Sequence, residues 1–187
     1  MFSVRVHGRG GQGVVTAAEL LAVAAFAEGR YAQAFPSFGS ERTGAPVAAF
    51  CRIDERPIRT HEPIAAPDAV LVADPSVMHQ VDLLAGLRPD GYLLVNSART
   101  AAELGVGYGG RLVLVPATEL AMRHIGRPVP NAALLGAFAA LTGVVELPAV
   151  CLAIRERFAE PVAQRNVEAA TAAWLAIHSG LEAVSNA

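Results

Sequence analysis

The feature that most constrains this chain is a glycine-rich run between a strand-like segment and a helix-like segment. The run reads Gly8-Arg9-Gly10-Gly11-Gln12-Gly13. It follows the alternating residues 2–6 (FSVRV) and precedes residues 14–27 (VVTAAELLAVAAFA), which are typical of a helix. The run predicts a strand-to-helix turn where glycine lets an anion approach the free N–H groups of the helix start. A tight turn that binds nothing is the alternative.

The spacing of Gly8, Gly10 and Gly13 also satisfies G-x-G-x-x-G, the pattern of dinucleotide-binding folds. Such a site needs an acidic residue at the end of the second strand, to bind the ribose. The candidate second strand, residues 31–35, runs into Pro-Ser-Phe-Gly instead, and the only nearby acid is Glu28. The turn therefore favours a phosphate-bearing ligand more than NAD.

Apolar runs that alternate with helical segments predict an α/β fold. The candidate strands are 2–6, 31–35, 47–53, 69–73, 92–95 and 111–115. The last three are almost continuously apolar, which is typical of strands buried on both faces of a parallel sheet. The candidate helices are 13–28, 76–86, 117–125, 131–142, 147–158 and 161–178. We expect one Rossmann-like domain over residues 1–187, with a mostly parallel sheet flanked by helices and a helical C-terminal part. For residues 31–53 a hairpin or an edge pair is the alternative to a strand–helix alternation.

Composition limits the classes of function. The chain is 53% hydrophobic and 17% charged, with a mean hydropathy of +0.39, so we expect a subunit that covers apolar surface with partners. A net charge of −2 argues against nucleic-acid binding. Cys51 and Cys151 stand alone, which predicts no metal site in this chain and reduced thiols in the cytoplasm. We expect no signal peptide and no membrane span.

Two further loops carry residues suited to a ligand. Ser40, Arg42 and Thr43 lie in the glycine- and proline-punctuated loop 35–46, which follows the second strand and starts at the sheet edge of the glycine turn. Asn131 follows the extended segment 127–130 and starts a helix, where we expect it to be the N-cap. A solvated surface loop and a simple cap are the respective alternatives.

Other polar residues give weaker signals. His7 adjoins the glycine turn, while Asp74 and Asn96-Ser97 follow strands where ligands gather in α/β folds. Each can instead serve as a helix cap or bond the backbone. We predict no catalytic residue in this chain, because no nucleophile elbow or acid–base pair is visible.

Together these segments resemble the gamma subunit, or gamma domain, of the 2-oxoacid:ferredoxin oxidoreductases, the pyruvate:ferredoxin oxidoreductase family. The resemblance rests on HGRGGQGVVTAAELLA at 7–22, YAQAFPSFGSERTGAPV at 31–47 and PNAALLGAFAALTG at 130–143. RERFAEPVAQRNVEAA at 155–170 is similar to the closing helices of the family. The resemblance covers nearly the whole chain, and its second loop favours the pyruvate or general 2-oxoacid branch.

The resemblance implies a Rossmann-like subunit of a complex that converts a 2-oxoacid and coenzyme A (CoA) to acyl-CoA and CO2. Alpha, beta and delta-type subunits would hold thiamine diphosphate and iron–sulfur clusters and pass electrons to ferredoxin, flavodoxin or NAD.

The resemblance further implies that this chain helps to bind CoA. The implied contacts are Gly8, Arg9, Gly10, Gly11, Gln12, Gly13, Ser40, Arg42, Thr43 and Asn131. Some relatives carry paired lysines in the second loop, where this chain has Glu41-Arg42. Since a carboxylate repels phosphate, only Arg42 of the two suits a phosphate, and Glu41 can face another subunit. A scaffold without a ligand and an NAD- or flavin-binding enzyme are the alternatives.

Overall fold

The computed structural model describes residues 1–37 and 44–185, the last five of them by backbone alone. Six strands in this part form one mixed sheet of order β2-β3-β1-β4-β5-β6. They are β1 (Phe2–Arg9), β2 (Tyr31–Pro36), β3 (Pro46–Asp54), β4 (Ala69–Val72), β5 (Tyr92–Asn96) and β6 (Arg111–Val115). β3 runs antiparallel to both neighbours, whereas β1, β4, β5 and β6 are mutually parallel. The predicted mostly parallel sheet is confirmed, and residues 31–53 do form a hairpin.

Burial of the parallel strands follows their position in the sheet. β4 is buried throughout, and β5 is buried from its second residue onward, as their apolar sequences predict. β6 has an equally apolar sequence but is only half-buried before Val115. The expectation that β6 is buried on both faces is wrong, because β6 is the edge strand of the sheet.

The long helices lie on one face of the sheet. The helices are α1 (Val14–Ala27), α2 (Ala101–Leu104), α3 (Ala117–His124), α4 (Asn131–Thr142), α5 (Leu147–Arg157) and α6 (Val162–Ser185). Buried residues of α1, α4, α5 and α6 share one core with Val4, Val6 and Leu71. The alternate strand residues, such as Val70 and Val72, form a second core beneath a 3₁₀ helix, Pro75–His79, and the segment that follows it. Of the described helices, none is both long and apolar enough to cross a membrane.

Several predicted boundaries are corrected by the structure. The helix expected over 76–86 is only the 3₁₀ helix, because Asp82 accepts hydrogen bonds from the N–H groups of Leu84 and Ala85 and so favours a turn. The chain then turns at Gly86, whose φ is +73°. The short α2 was not predicted, although Thr100 and Glu103 form a capping box.

β1 is longer than its alternating pattern indicates. It continues to Arg9 because β3 pairs with it as far as Arg9↔Pro46. Gly8 and Arg9 therefore belong to the strand, and the turn itself consists of residues 10–13.

Helix α4 is enclosed between the sheet and α6. Its residues from Asn131 to Ala139 are all buried. A Cβ at Gly136 would lie 1.9 Å from the carbonyl oxygen of Ala170 in α6. The backbones of α4 and α6 can approach this closely only because residue 136 has no side chain.

We expect Gly136→Ala to lower the free energy of unfolding by about 1–3 kcal/mol, because the new methyl group forces α4 and α6 apart. Urea denaturation checks this. Gly180→Ala in α6 is the matched control, since no atom that the structure describes lies within 4 Å of its added Cβ. Alanine favours helix over glycine, so the control should lose no stability. Equal stability of Gly136→Ala and the wild type would contradict the close packing.

Candidate functional site

The glycine turn places unpartnered backbone donors at the start of α1. Gly11 has a φ of +92° and Gly13, the N-cap of α1, a φ of +74°. Both values lie in the left-handed region that glycine alone adopts readily. In the part that the structure describes, the N–H groups of Gly11 and Gly13 have no hydrogen-bond acceptor. Free N–H groups at a helix start, beside a helix dipole, suit an anion.

Gly8 has a packing role beneath this turn. It is buried in β1, and a Cβ there would lie 2.7 Å from Cγ2 of Val14 and 3.0 Å from Cβ of Ala73. The absence of a side chain lets α1 begin directly above the strand. Gly8 thus supports the turn from below.

The side chain of Gln12 holds the turn in shape. Its Oε1 accepts a hydrogen bond of 2.7 Å from the N–H of Arg9, and its Nε2 donates one of 2.8 Å to Asp74 Oδ2. Asp74 also accepts a bond of 2.9 Å from the N–H of Ser76 and lies 3.7 Å from the guanidinium of Arg9. Burial opposes ionisation of Asp74, but the bonds from Ser76 and Gln12 outweigh it and keep the pKa of this carboxyl below its usual value.

The described ends of the second loop are attached to the glycine turn. Gly10 donates its N–H to the carbonyl of Ala45 at 3.0 Å, and Nη1 of Arg9 donates to the carbonyl of Gly44 at 2.9 Å. β2 also ends at this edge of the sheet, as expected. Ser40, Arg42 and Thr43, and with them Glu41, lie outside the described residues. Their predicted roles remain predictions.

Asn131 comes from a distant part of the sequence and packs against the turn. A Cβ at Gly13 would lie 2.6 Å from Nδ2 of Asn131. The expectation that Asn131 is the N-cap is wrong by one residue, because Pro130 is the N-cap and Asn131 begins α4. Its Oδ1 nonetheless accepts a bond of 2.8 Å from the N–H of Ala132. The start of α4 therefore faces the glycine turn, which makes Asn131 only 3% exposed.

A cleft of about 710 Å³ opens beside the turn at the carboxyl ends of the parallel strands. β1 and β4 are neighbours in the sheet, but the connection after β1 leads to β2 at one edge of the sheet, whereas the connection after β4 leads towards the opposite edge. The cleft therefore lies where the strand order reverses. Open α/β sheets bind their ligands at such a point. The cleft is lined by Gly10, Gly11, Gln12, Ala73, Asp74, Pro75, Asn96, Ser97, Ala98, Arg99, Pro116, Thr118, Glu119, Arg127, Pro128 and Val129.

Asp74, Asn96 and Ser97, which the sequence placed at strand ends where ligands gather, all line this cleft. Sequence reasoning did not reveal the bonds that Asn96 makes. Nδ2 of Asn96 donates to the carbonyl of Ala73 and to Oγ1 of Thr118, both at 2.7 Å, and its Oδ1 accepts the N–H of Thr118 at 3.0 Å. Asn96 thereby joins the ends of β4 and β5 to the first turn of α3. The partners are more than 20 residues from Asn96, so no local pattern could have revealed them.

His7 is a poor ligand candidate in this structure. It is buried in β1 beside Ala48 and Val72 and does not line the cleft. Burial, with a smaller contribution from Arg5, lowers the pKa of His7 to about 4, so the ring is neutral at pH 7.

The structure also locates the two cysteines. Burial raises the pKa of Cys51 to about 12, and Cys151 is half-buried. Among the described residues, no three His, Cys, Asp or Glu side chains come together as a metal site.

We expect Asp74→Asn to destabilise the chain fully above about pH 4 and progressively less as the pH falls below it. The folded-state pKa of Asp74 is lowered, so its stabilisation is present above the ordinary pKa of 3.8 and is lost as the pH falls through the folded value. Urea unfolding of both proteins from pH 7 to pH 3 checks this. A stability difference that does not shrink on acidification would contradict it.

Comparison with known proteins gives a consistent result over the whole chain. The profile of the pyruvate ferredoxin/flavodoxin oxidoreductase family matches residues 3–176. The pyruvate/ketoisovalerate oxidoreductases common subunit gamma of Pyrococcus abyssi is 48% identical over 177 residues, which cover 93% of this chain and 96% of the relative.

Solved structures share the fold. Pyruvate oxidoreductase subunit PORC from Thermotoga maritima superposes with a TM-score of 0.82 at 37% identity, covering 93% of this chain and 95% of that one. A 2-oxoglutarate:ferredoxin oxidoreductase from Magnetococcus marinus, with 2-oxoglutarate, coenzyme A and succinyl-CoA bound, has a TM-score of 0.78 at 18% identity. That match covers 96% of this chain and 31% of the larger chain, and it shows a common fold alone.

Proposed function

Because this chain belongs to the pyruvate ferredoxin/flavodoxin oxidoreductase family, as a chain of the gamma-subunit type, we propose that it binds CoA for a multisubunit 2-oxoacid oxidoreductase. In that reaction a 2-oxoacid loses CO2, its acyl group joins the sulfur of CoA, and two electrons pass to an acceptor. The proposed role of this chain is to hold the nucleotide end of CoA, without a catalytic residue of its own.

One observation carries the proposal: the free N–H groups of Gly11 and Gly13 at the start of α1, beside an open cleft. CoA carries a pyrophosphate between its adenosine and its pantetheine arm. An anion of this kind is what a helix start with free N–H groups binds best. We propose that the pyrophosphate lies on residues 10–13, while Gly8, Arg9, Gln12 and Asn131 keep these residues in position.

The second loop completes the proposed site. Its described ends, Ser37 and Gly44, lie at the edge of the sheet that carries the turn, and Gly44 is bonded to Arg9. We propose that Ser40, Arg42 and Thr43 contact CoA from this loop. Arg42 would supply a charge-assisted bond to a phosphate.

The arrangement of strands argues against an NAD- or flavin-binding enzyme. In dinucleotide folds the ribose carboxylate ends the strand beside the first one. Here the antiparallel β3 lies between β1 and β2, and Pro46, not an acid, is paired with Arg9 at the edge with the turn. Among the residues that the structure describes, no acid stands at the usual position of the ribose carboxylate, and Asp74, which follows the parallel neighbour β4, is bonded to Gln12.

The redox chemistry belongs to partner subunits in this proposal. Iron–sulfur clusters are held mostly by sets of four cysteines, and the whole sequence contains only Cys51 and Cys151. We propose that alpha, beta and delta-type subunits bind the clusters and thiamine diphosphate, which would supply the decarboxylation chemistry. Ferredoxin, flavodoxin or NAD would accept the electrons there, in a cytoplasmic complex.

We expect Gly11→Ala, in the assembled complex, to raise the KM for CoA about tenfold or more. No atom of the described residues lies within 4 Å of the added Cβ, so the methyl group would occupy space for the ligand, and the positive φ would be strained. Steady-state kinetics with varied CoA check this. Decarboxylation of the 2-oxoacid without CoA should persist.

Gly29→Ala is the matched control for backbone strain. Gly29 has a φ of +80° and an equally open Cβ position, but it follows the far end of α1. The Gly29→Ala variant should leave the KM for CoA unchanged. If Gly11→Ala and Gly29→Ala behave alike in a folded complex, the chain is better described as a scaffold without a ligand.

A further inference from the structure

Two arginines line the cleft beside the turn. Arg99 follows β5 and Arg127 precedes α4, and both line the cleft with exposed side chains. Neither guanidinium makes an ion pair or hydrogen bond with the described part of the chain. By contrast, Arg9 at the same edge is bonded to Ser76 and Gly44. The pKa of Glu103, outside the cleft lining, is lowered mainly by its hydrogen bonds and in smaller part by the charge of Arg99. The cleft therefore presents two cations that no described group bonds directly.

The other charges of the cleft do not cancel this excess. The carboxylate of Asp74 already accepts hydrogen bonds from Gln12 and from the N–H of Ser76, and it pairs with the guanidinium of Arg9. Glu119 is the remaining acid in the lining, an exposed residue in the first turn of α3. The start of α3 adds the positive end of a helix dipole to the same cleft. The electrostatic balance favours an anion.

We infer that Arg99 and Arg127 bind the 3′-phosphate on the ribose of CoA. This inference rests on the proposed function, which places the pyrophosphate on the glycine turn. A ligand that extends from the turn into the cleft would place its adenosine end beside the two arginines. The volume of about 710 Å³ is within the range of sites that enclose ligands of this size. The arginines would thus distinguish CoA from nucleotides that lack the extra phosphate.

The test compares CoA with dephospho-CoA, which lacks only the 3′-phosphate, by equilibrium binding to the assembled complex without a 2-oxoacid. We expect the double variant Arg99→Ala/Arg127→Ala to lower the affinity for CoA by about tenfold to a hundredfold, since charge-assisted bonds to phosphate are lost. Its affinity for dephospho-CoA should match that of the wild type. Arg123→Ala is the matched control, an exposed arginine of α3 outside the cleft, and should change neither affinity.

The possible failures have different meanings. The role of the arginines is refuted if the double variant loses affinity for CoA and dephospho-CoA equally. It is also refuted if the double variant keeps both affinities while Gly11→Ala lowers the affinity for CoA. In both cases the proposed function stands. If neither the double variant nor Gly11→Ala changes the affinity for CoA, both proposals are wrong. Size-exclusion chromatography of each complex confirms that the variants assemble.

Discussion

The close approach of helix starts to the end of β1 is the constraint on which the rest of the site depends. Gly8 lets α1 begin directly above the strand, and Gly13 leaves room for Asn131 at the start of α4. The first turn of α3 lines the adjoining cleft. Three helix dipoles therefore point their positive ends at one edge of the sheet. A chain with a net charge of −2 can thus offer a local anion site.

Side chains and backbone have different tasks at this edge. The polar groups of Gln12 and Asp74 are used within the protein, and Arg9 ties the turn to Ser76 and to the base of the second loop. These bonds fix the turn in one conformation, which would lower the entropy lost when the proposed ligand binds. Within the described part of the chain, the N–H groups of Gly11 and Gly13 have no acceptor, and the arginines of the cleft make no ion pair or hydrogen bond. Arg9 and Gln12, which the glycine motif marks as ligand contacts, therefore serve mainly to hold the turn in shape.

The success of sequence reasoning depended on how local each signal was. Apolar runs located the strands and the glycine run located the turn, because both signals depend on residues that are neighbours in the sequence. The far end of β1 depended on pairing with Pro46, and the links between Asn96 and Thr118 and between Gly13 and Asn131 join distant segments. Such contacts exist only in the folded chain. The capping box of Thr100 and Glu103 is a local signal that would have predicted the start of α2, but it was not used.

The antiparallel strand β3 separates this fold from the dinucleotide folds that share its glycine spacing. β1 has a parallel neighbour on one side only, β4, whose following acid Asp74 is bonded to Gln12 of the turn. A parallel strand in the place of β3 would have brought a second strand end, and with it a candidate ribose ligand, beside the glycine turn. β3 instead begins at that edge, so the loop before it is attached there through Gly44 and Ala45. One reversal of strand direction thus removes the strand end that would carry a ribose ligand on this side of β1 and attaches a second loop to the glycine turn. The glycine pattern alone cannot distinguish these outcomes, because it specifies the turn and leaves the neighbouring strand undetermined.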